Sequence, residues 1–310
     1  MTVTEPVLVI AFNRPDHLRR VLQRLREVDA RSIYLAIDGP RTGRDDEAAR
    51  VQECRDMAGA IDWTTDLHFQ FQSENLGCGA GVSSGISWFF ENVDRGIILE
   101  DDIVPNDSFF DFCETLLDRY EFDDRVFAIS GANVVPAEAI SSPLNPYRFT
   151  HTPLIWGWAT WKRSWVQHRL DARGWYRTIS PRRMWASSGG SLAGAMFWAT
   201  NMELTARGDV DTWDWQLVFA AMRTGQVVAV PNVNLVENIG FDEWATHTVH
   251  GESALPEPRE LRLGTDRVPV KADSRADSWS RKHFYGARTL TSVHRLWKYF
   301  RGERREAGLK

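Results

Sequence analysis

The segment VLVIAFNRPDHLRRVLQRL, Val7 to Leu25, decides the fold class. It opens with a continuous apolar run, Val7 to Phe12, which is typical of a parallel strand buried on both faces. The turn Asn13-Arg14-Pro15 follows, and proline favours the first turn of a helix. Apolar residues then recur at helical spacing, at Leu18, Val21, Leu22, Leu25 and Val28. The segment therefore predicts a buried strand that leads into an amphipathic helix.

The same alternation continues through the first hundred residues. Apolar runs at Ile33–Ile37, Phe69–Gln72 and Gly96–Leu99 predict three further strands, and helices are expected over Arg41–Gly59 and Gly79–Glu91. Strands separated by helices predict an α/β protein with a mostly parallel, doubly wound sheet and helices on both faces.

Beyond Pro105 the pattern changes. A helix around Phe109–Leu117 and a strand over Val126–Ser130 are expected, followed by a long loop over Pro136–Pro153 and a tryptophan-rich segment. We expect this second half to be an extension of the same sheet. The predicted division is 1–104, 105–255 and 256–310, and the last of these is a basic, aromatic C-terminal extension.

Polar residues collect where the predicted strands end. They are Asn13, Asp38, Asn75 and the acidic triplet Glu100-Asp101-Asp102. Open α/β sheets bind ligands beyond the carboxyl ends of their strands. Adjacent carboxylates repel one another unless a cation lies between them, and Mg²⁺ or Mn²⁺ prefers oxygen ligands and bridges to phosphates. The triplet thus predicts a metal-diphosphate site, and a solvated acidic loop is the alternative.

The composition of the chain excludes several classes of function. The chain has 310 residues and a formal net charge of -5, which argues against a general nucleic-acid binder. Its three cysteines, Cys54, Cys78 and Cys113, suit neither a disulfide framework nor a zinc site, so a reducing cytosol is expected. No apolar run is long enough to span a bilayer, and the N-terminus is polar.

Four segments together carry a family resemblance. They are FNRPDHLRRVLQRL, IDGPR at Asp38, NLGCGAGVSSGI at Asn75 and ILEDDI at Asp102. In order and spacing they resemble the nucleotide-sugar-binding half of a GT-A glycosyltransferase, most closely the N-acetylglucosaminyltransferase I type and bacterial family 2-like transferases. The resemblance spans most of Val7 to His250 and implies an inverting enzyme that depends on Mn²⁺ or Mg²⁺.

The resemblance makes 1–104 the nucleotide-sugar-binding half and 105–255 the acceptor-binding and catalytic-base half, and it implies roles for individual residues. Asp38 would hold the nucleotide base, Glu100 and Asp101 would contact the ribose and its neighbours, and Asp102 would bind the metal. Arg14 would lie near the nucleotide. The expected donor site further includes Phe12, Asn13, Asn75, Gly77, Gly157 and Trp158. Uridine diphosphate is the expected nucleotide.

The second half adds two matches. WGWATW, Trp156 to Trp161, resembles the family segment that borders the donor and acceptor sites, although core packing explains any one of its tryptophans as well. TWDWQ, Thr212 to Gln216, resembles the tryptophan-flanked aspartate that serves as catalytic base, which makes Asp214 the candidate. Helix capping is the alternative role for Asp214, and Asp209 and Asp211 are rival bases.

A histidine late in the chain is also expected at the metal site. His247 is a candidate metal ligand or diphosphate contact, with His250 as the alternative.

The C-terminal extension combines aromatic and basic residues over Asp277–Arg305. It therefore either lies on an anionic membrane surface or packs back on the domain. A cytoplasmic protein, peripheral to the plasma membrane in the first case, is expected.

The predicted function is transfer of a sugar from a nucleotide-diphosphate donor to a hydroxyl of a glycan or glycolipid. Neither the G-x-G-x-x-G of a dinucleotide site nor the G-x-x-x-x-G-K-[ST] of a triphosphate loop is present. The alternatives are a sugar-phosphate nucleotidyltransferase, which normally carries a glycine-rich basic loop after its first strand, and a catalytically silent carbohydrate-binding protein.

Overall fold

A computed structural model describes residues 2–240, 255–265 and 267–287. The strands in these ranges, β1 to β10 in chain order, are Val7–Ala11, Ser32–Ile37, Asp66–Phe71, Arg95–Glu100, Ile103–Pro105, Val126–Ser130, Tyr147–Thr150, Trp158–Trp161, Val227–Pro231 and Val236–Asn238. The α-helices, α1 to α9, are Pro15–Glu27, Asp45–Gly59, Gly77–Asn92, Asp107–Arg119, Lys162–Trp165, Pro181–Ser187, Leu192–Ala206, Asp214–Thr224 and Ser274–Trp279. Short 3-10 turns lie at Ala137–Ala139 and Trp175–Arg177, and a π-helical turn lies at Ser280–Phe284.

Eight of the described strands form one sheet in the order β3-β2-β1-β4-β8-β6-β9-β7. Strands β1 to β4, β6 and β9 run in one direction, whereas β7 and β8 run against them. Strands β5 and β10 form a separate antiparallel pair. The predicted α/β class with a mostly parallel sheet is confirmed, and helices flank the mixed sheet.

Both faces of the sheet are covered, which explains the uninterrupted apolar run in β1. Val7 and Val9 belong to a core cluster with α1, α2 and α4 on one face. Leu8 and Ile10 belong to a second cluster with α3 and α8 on the other face. A strand buried on both sides has no reason to alternate between apolar and polar residues.

One expectation about the second half is corrected. The stretch Pro136–Pro153 is not a continuous loop, because it contains a 3-10 turn and strand β7, which pairs with β9. The tryptophan-rich segment supplies β8, which is inserted antiparallel between β4 and β6. Both strands are only four residues long, and their pairing partners are distant in sequence, so local patterns did not reveal them.

The described part of the C-terminal extension packs on the sheet domain. The carboxylate of Asp273 accepts hydrogen bonds from Ser141, and Asp277 pairs with His151 at 2.7 Å. The ring of Phe284 lies edge-on against Trp156. The packed arrangement therefore holds as far as Ala287, and residues 288–310 lie outside the described residues. In the part of the chain that is described, no helix is long and apolar enough to cross a membrane.

The conformation of Gly157 leads to a prediction about stability. Its φ is +64°, and a Cβ there would lie 2.9 Å from Val236 Cγ1. We expect Gly157→Ala to lower the free energy of unfolding by about 2 to 4 kcal/mol, because left-handed strain adds to overpacking. Gly174→Ala is the matched control, since its φ is +72° with open space around it, and about 1 kcal/mol is expected there. Urea unfolding measures both, and equal losses would contradict the packing argument.

Candidate functional site

The candidate site lies where the parallel strands end. Because β1 to β4 run in one direction, the residues after their carboxyl ends meet at one edge of the sheet. The structure brings together Asn13 and Arg14 after β1, Asp38 after β2, and Glu100 to Asp102 at the end of β4. Asn75 joins them from the loop after β3 and donates to Asp38.

Arg14 binds two members of the acidic triplet. Its guanidinium forms ion pairs with the carboxylate of Asp101 and, at 2.9 Å, with that of Asp102. Burial lowers the pKa of Arg14, but the charges of Asp101 and Asp102 outweigh this effect and raise it above its ordinary value. The side chain therefore stays positively charged and ties the start of α1 to the end of β4.

The three carboxylates differ in burial. Asp101 is 2% exposed, and its Oδ2 has no hydrogen-bond partner among the described residues, whereas Glu100 and Asp102 are partly exposed. Burial raises the pKa of Glu100 to about 8, and the charge of Asp102 adds to this rise while Arg14 opposes it.

The chemistry of this cluster fits a hard divalent cation in part. Carboxylate oxygens are the ligands that Mg²⁺ and Mn²⁺ prefer, and the unpartnered oxygen of Asp101 is of this kind. Within the described ranges, however, no three His, Cys, Asp or Glu side chains are grouped to hold a metal. A cation at Asp102 would therefore need additional oxygen ligands, which a diphosphate and water can provide. His247 and His250 lie outside the described residues.

The chain after β10 closes over Asp102. The backbone N–H of Ile239 donates to the carbonyl of Asp102 at 2.9 Å, and Gly240 follows at the limit of this described segment. The stretch that carries the candidate histidines therefore starts beside the acidic triplet.

Asp38 organises the neighbouring loop. Its carboxylate accepts hydrogen bonds from the backbone of Gly39 and Leu76 and from the side chain of Asn75. Burial raises the pKa of Asp38, and these donors act against the rise. The structure places Asp38 and Asn75 in direct contact, and the predicted contact of Asp38 with a nucleotide base stays a prediction.

Sequence reasoning missed Glu47, which lies beside the expected donor residues. The carboxylate of Glu47 is buried and accepts from the Asn13 side chain at 3.3 Å and from the backbone of Arg41 at 2.8 Å. The guanidinium of Arg41 in turn lies over the ring of Phe12. The only sequence signal for Glu47 was its place in the first turn of α2, where acids are common on helix surfaces.

The second half of the chain brings its tryptophan segments together. Trp158 of β8 stacks on Trp213, with ring centroids 5.9 Å apart. Trp215 packs instead against Phe197 and Trp198 of α7. Asp214 lies between these two anchored rings at the start of α8.

Asp214 is not the N-cap of α8. The cap position is Trp213, and Asp214 is the first helical residue, where its Oδ1 accepts from the N–H of Trp215 at 2.8 Å and from the Thr212 hydroxyl. The charge of Asp214 also contributes to the raised pKa of Glu100. Asp214 therefore lies within electrostatic reach of Glu100.

Asp211 and Asp209, the other candidates for the base, have surroundings that differ from those of Asp214. Asp211 accepts hydrogen bonds from the backbone N–H groups of Cys78 and Gly79, each at 3.0 Å, and so caps α3 from a distant part of the chain. Gly77 has a φ of +81°, and a Cβ there would lie 2.8 Å from the Asp211 carboxylate. Asp209 lies on an exposed turn after α7. The expected donor residue Gly77 thus allows the close approach of Asp211.

A serine-nucleophile reading of the same helix is excluded. Gly81 to Gly85 spells G-x-S-x-G, the pattern of a nucleophile elbow. An elbow requires the serine at a sharp turn between strand and helix, with its hydroxyl exposed. Ser83 instead lies in mid-helix and is buried.

Comparison with known proteins gives structural similarities at low TM-scores. No protein-family model and no curated protein matches the sequence. A UDP-glucose pyrophosphorylase complexed with UDP-glucose is similar with a TM-score of 0.38 and 6% identity, over 74% of this chain and 90% of that one. Mouse xyloside xylosyltransferase 1 gives a TM-score of 0.32 and 12% identity, over 71% and 81%. The functional argument therefore rests on the residues of the chain itself.

The cap provided by Asp211 can be tested. We expect Asp211→Ala to lower the free energy of unfolding by about 1 kcal/mol, because two N–H groups at the start of α3 lose their acceptor. Asp209→Ala removes a nearby exposed carboxylate and should change stability by less than about 0.5 kcal/mol. Urea unfolding measures the free energy of unfolding of both variants. An Asp211→Ala variant as stable as the wild type would show that water replaces the carboxylate as acceptor for these N–H groups.

The burial of His168 leads to a prediction about how the stability of the protein depends on pH. Its Nε2 lies 3.0 Å from the carbonyl of Trp213, and burial lowers its pKa to about 4. The unfolded chain, with a histidine pKa of about 6.5, binds a proton that the folded chain does not. The stabilisation that follows from this difference is fully present above pH 6.5. As the pH falls towards 4 it is lost, and the free energy of unfolding decreases by up to about 3 kcal/mol.

We expect His168→Gln to remove this part of the acid sensitivity, as measured by urea unfolding at neutral and at acidic pH. Val166→Ala, an exposed and non-titrating neighbour, should keep it. A variant at His168 with the same loss of stability towards low pH as the wild type would contradict the assignment.

Proposed function

We propose that this protein is an inverting glycosyltransferase that uses a nucleotide-diphosphate sugar, with uridine diphosphate as the nucleotide. The observation that carries the proposal is the two ion pairs that Arg14 forms with Asp101 and Asp102 at the carboxyl edge of the sheet. The segment that leads to Asp214 approaches this edge, because Asp211 accepts from the N–H groups of Cys78 and Gly79, while Leu76 of the same loop donates to Asp38.

The donor would lie along the carboxyl edge of the sheet. Phe12, Asn13 and Asp38 border its nucleotide end, with Asn75 and Gly77 on the adjoining loop. Glu100 and Asp101 would face the ribose. Gly157 and Trp158 belong to the segment that separates the donor side from the acceptor side.

The diphosphate would lie at Asp102. A Mn²⁺ or Mg²⁺ ion held there supplies positive charge for the leaving diphosphate. Arg14 provides a fixed positive charge at the same position, because its pKa is raised by Asp101 and Asp102. Such a preorganised charge favours a leaving group that becomes more negative as its bond to the sugar breaks.

Asp214 would act as the base. One carboxylate oxygen accepts the proton of an acceptor hydroxyl while that oxygen attacks the anomeric carbon from the side opposite the diphosphate. The new C–O bond forms, the bond to the diphosphate breaks, and the configuration at the anomeric carbon inverts. The stacked pair Trp158–Trp213 and the packing of Trp215 hold Asp214 in place for this step.

The donor site is tested by calorimetric titration with uridine diphosphate, with and without Mn²⁺. We expect binding that requires the metal, and at least tenfold weaker binding for Asp102→Asn. Asp107→Asn is the matched control, because Asp107 is an exposed acid that pairs with Arg24 nearby. Absence of binding for uridine, guanosine and thymidine diphosphates alike would leave a silent scaffold as the better account.

The base is tested by Asp214→Asn. Donor binding should persist, whereas transfer from the nucleotide sugar that binds should fall by about 10²- to 10⁴-fold. Asp209→Asn should keep wild-type turnover. Full activity of a folded Asp214→Asn variant would remove the base assignment, and pyrophosphate release from uridine triphosphate with a sugar 1-phosphate would favour the nucleotidyltransferase alternative.

A further inference from the structure

A small cavity lies against α8, on the side of the helix that faces away from Asp214. Its volume is about 40 Å³, which leaves room for about three water molecules. The residues of α8 that line it are Gln216, Phe219, Ala220 and Arg223, which share one face of the helix. Asp214 lies roughly opposite that face, because an α-helix turns by about 100° per residue. The cavity is therefore distinct from the proposed catalytic site.

The cavity is open to solvent on its other side. Its remaining lining residues come mainly from the loop after α5 and from the 3-10 turn that follows this loop. Arg169, Arg173 and Thr178 are exposed there, and Trp175 is half-buried. A ligand therefore reaches the cavity directly from water.

Two arginines of this cavity have no acidic partner among the described residues. The side chain of Arg169 forms no hydrogen bond or ion pair with any residue in the described ranges. The guanidinium of Arg223 donates to the backbone and side-chain oxygens of Gln167, at 2.8 and 3.4 Å, and both of these are uncharged. Burial lowers the pKa of Arg223, and the charge of Arg169 lowers it further. The two guanidinium groups are thus close enough to repel one another.

The other charged groups around the cavity are paired within the protein. Arg173 forms an ion pair with Asp171 at 2.7 Å, and both of these residues line the cavity. Glu203 accepts a hydrogen bond from the indole of Trp175 and forms an ion pair with Arg207 at 3.0 Å. The charge that is left without compensation among the described residues is therefore that of Arg169 and Arg223, two positive charges.

The wall of the cavity also contains an unsatisfied polar atom. Gln216 is 4% exposed, and its Nε2 donates to the carbonyls of Thr212 and Leu170, at 2.7 and 3.3 Å. Its Oε1 has no hydrogen-bond partner among the described residues. Buried polar atoms in proteins normally have a partner. One hydrogen-bond donor is therefore missing at this wall, and a ligand with a hydroxyl group would supply it.

We propose that this cavity, the Arg169–Arg223 cavity, is a binding site for a phosphate group, carried by a small phosphorylated molecule or present as the free ion. A phosphate monoester has a charge of about -1.5 to -2 at neutral pH, which matches two unpaired guanidinium groups. The planar fork of a guanidinium donates two parallel hydrogen bonds to phosphate oxygens. Two arginines that otherwise repel one another are stabilised together by such an anion.

The size of the cavity and its charge together favour phosphate over other ligands. A volume of about three water molecules suits a tetrahedral phosphate group, whereas a nucleotide or a peptide is too large to enter. A carboxylate is small enough, but its single charge would leave one guanidinium unpaired. Where the phosphate is an ester, the carbon skeleton of the ligand would lie at the open side of the cavity, next to the ring of Trp175.

The test is a phosphorus NMR titration of the full-length protein with inorganic phosphate and with glycerol phosphate, in the absence of divalent cations. We expect both to bind, and acetate at the same concentration not to displace them. Arg169→Gln should weaken the binding of both at least tenfold. Arg177→Gln is the matched control, because Arg177 is an exposed arginine of the adjacent 3-10 turn that does not line the cavity.

A second variant, Arg223→Lys, keeps the positive charge but removes the guanidinium fork, and it should also weaken binding. Thermal unfolding without phosphate must show that each variant is folded. This is expected for Arg169→Gln, since the Arg169 side chain has no partner in the described part of the chain.

The two phosphate ligands separate the possible sources of the group. Tighter binding of glycerol phosphate than of inorganic phosphate would assign the cavity to a phosphorylated molecule, and equal affinities would assign it to the free ion. No binding of either ligand would overturn the proposal, and so would binding that Arg169→Gln and Arg177→Gln weaken equally. Arg169→Gln should bind uridine diphosphate as the wild type does, so failure here leaves the proposed function intact.

Discussion

The ion pairs of Arg14 with Asp101 and Asp102 are the interaction on which the candidate site depends. Arg14 precedes α1, and the two aspartates follow β4, so the pairs join neighbouring strands at their carboxyl ends. Removing one partner of a buried ion pair typically costs about 3 to 5 kcal/mol, because the remaining charge is left unpaired. The geometry of this edge of the sheet is therefore coupled to a single guanidinium.

The charge at this edge is nevertheless unbalanced. Arg14 contributes one positive charge beside three acidic residues, and the charge of Asp102 adds to the rise that burial causes in the pKa of Glu100, to about 8. A diphosphate would add further negative charge at the same place. This imbalance is the physical reason for proposing a divalent cation, since such an ion lets carboxylates and phosphate oxygens approach one another.

The second half of the chain places the proposed base through aromatic packing. Trp213 belongs to the cluster on one face of the sheet, and Trp215 packs against the cluster around α7. Asp214 is thus fixed between two rigid groups. Tyr285 adds a third contact from the C-terminal segment, since its ring lies against Phe197 and Trp198. Residues near the end of the described chain consequently pack against the same helix as Trp215.

The sequence by itself determined the α/β class, the first four strands and the polar residues at their ends. Apolar runs and helical spacing are local signals, and parallel strands necessarily bring their carboxyl ends to one edge. Only the tertiary structure decided which of these polar residues touch. The pairing of Arg14 with Asp101 and Asp102, the contact of Glu47 with Asn13, and the cap that Asp211 gives to α3 from 133 residues away join segments with no periodic relation in sequence. The insertion of β8 was likewise decided by its partners β4 and β6, because a four-residue strand carries too short a pattern to specify its own neighbours.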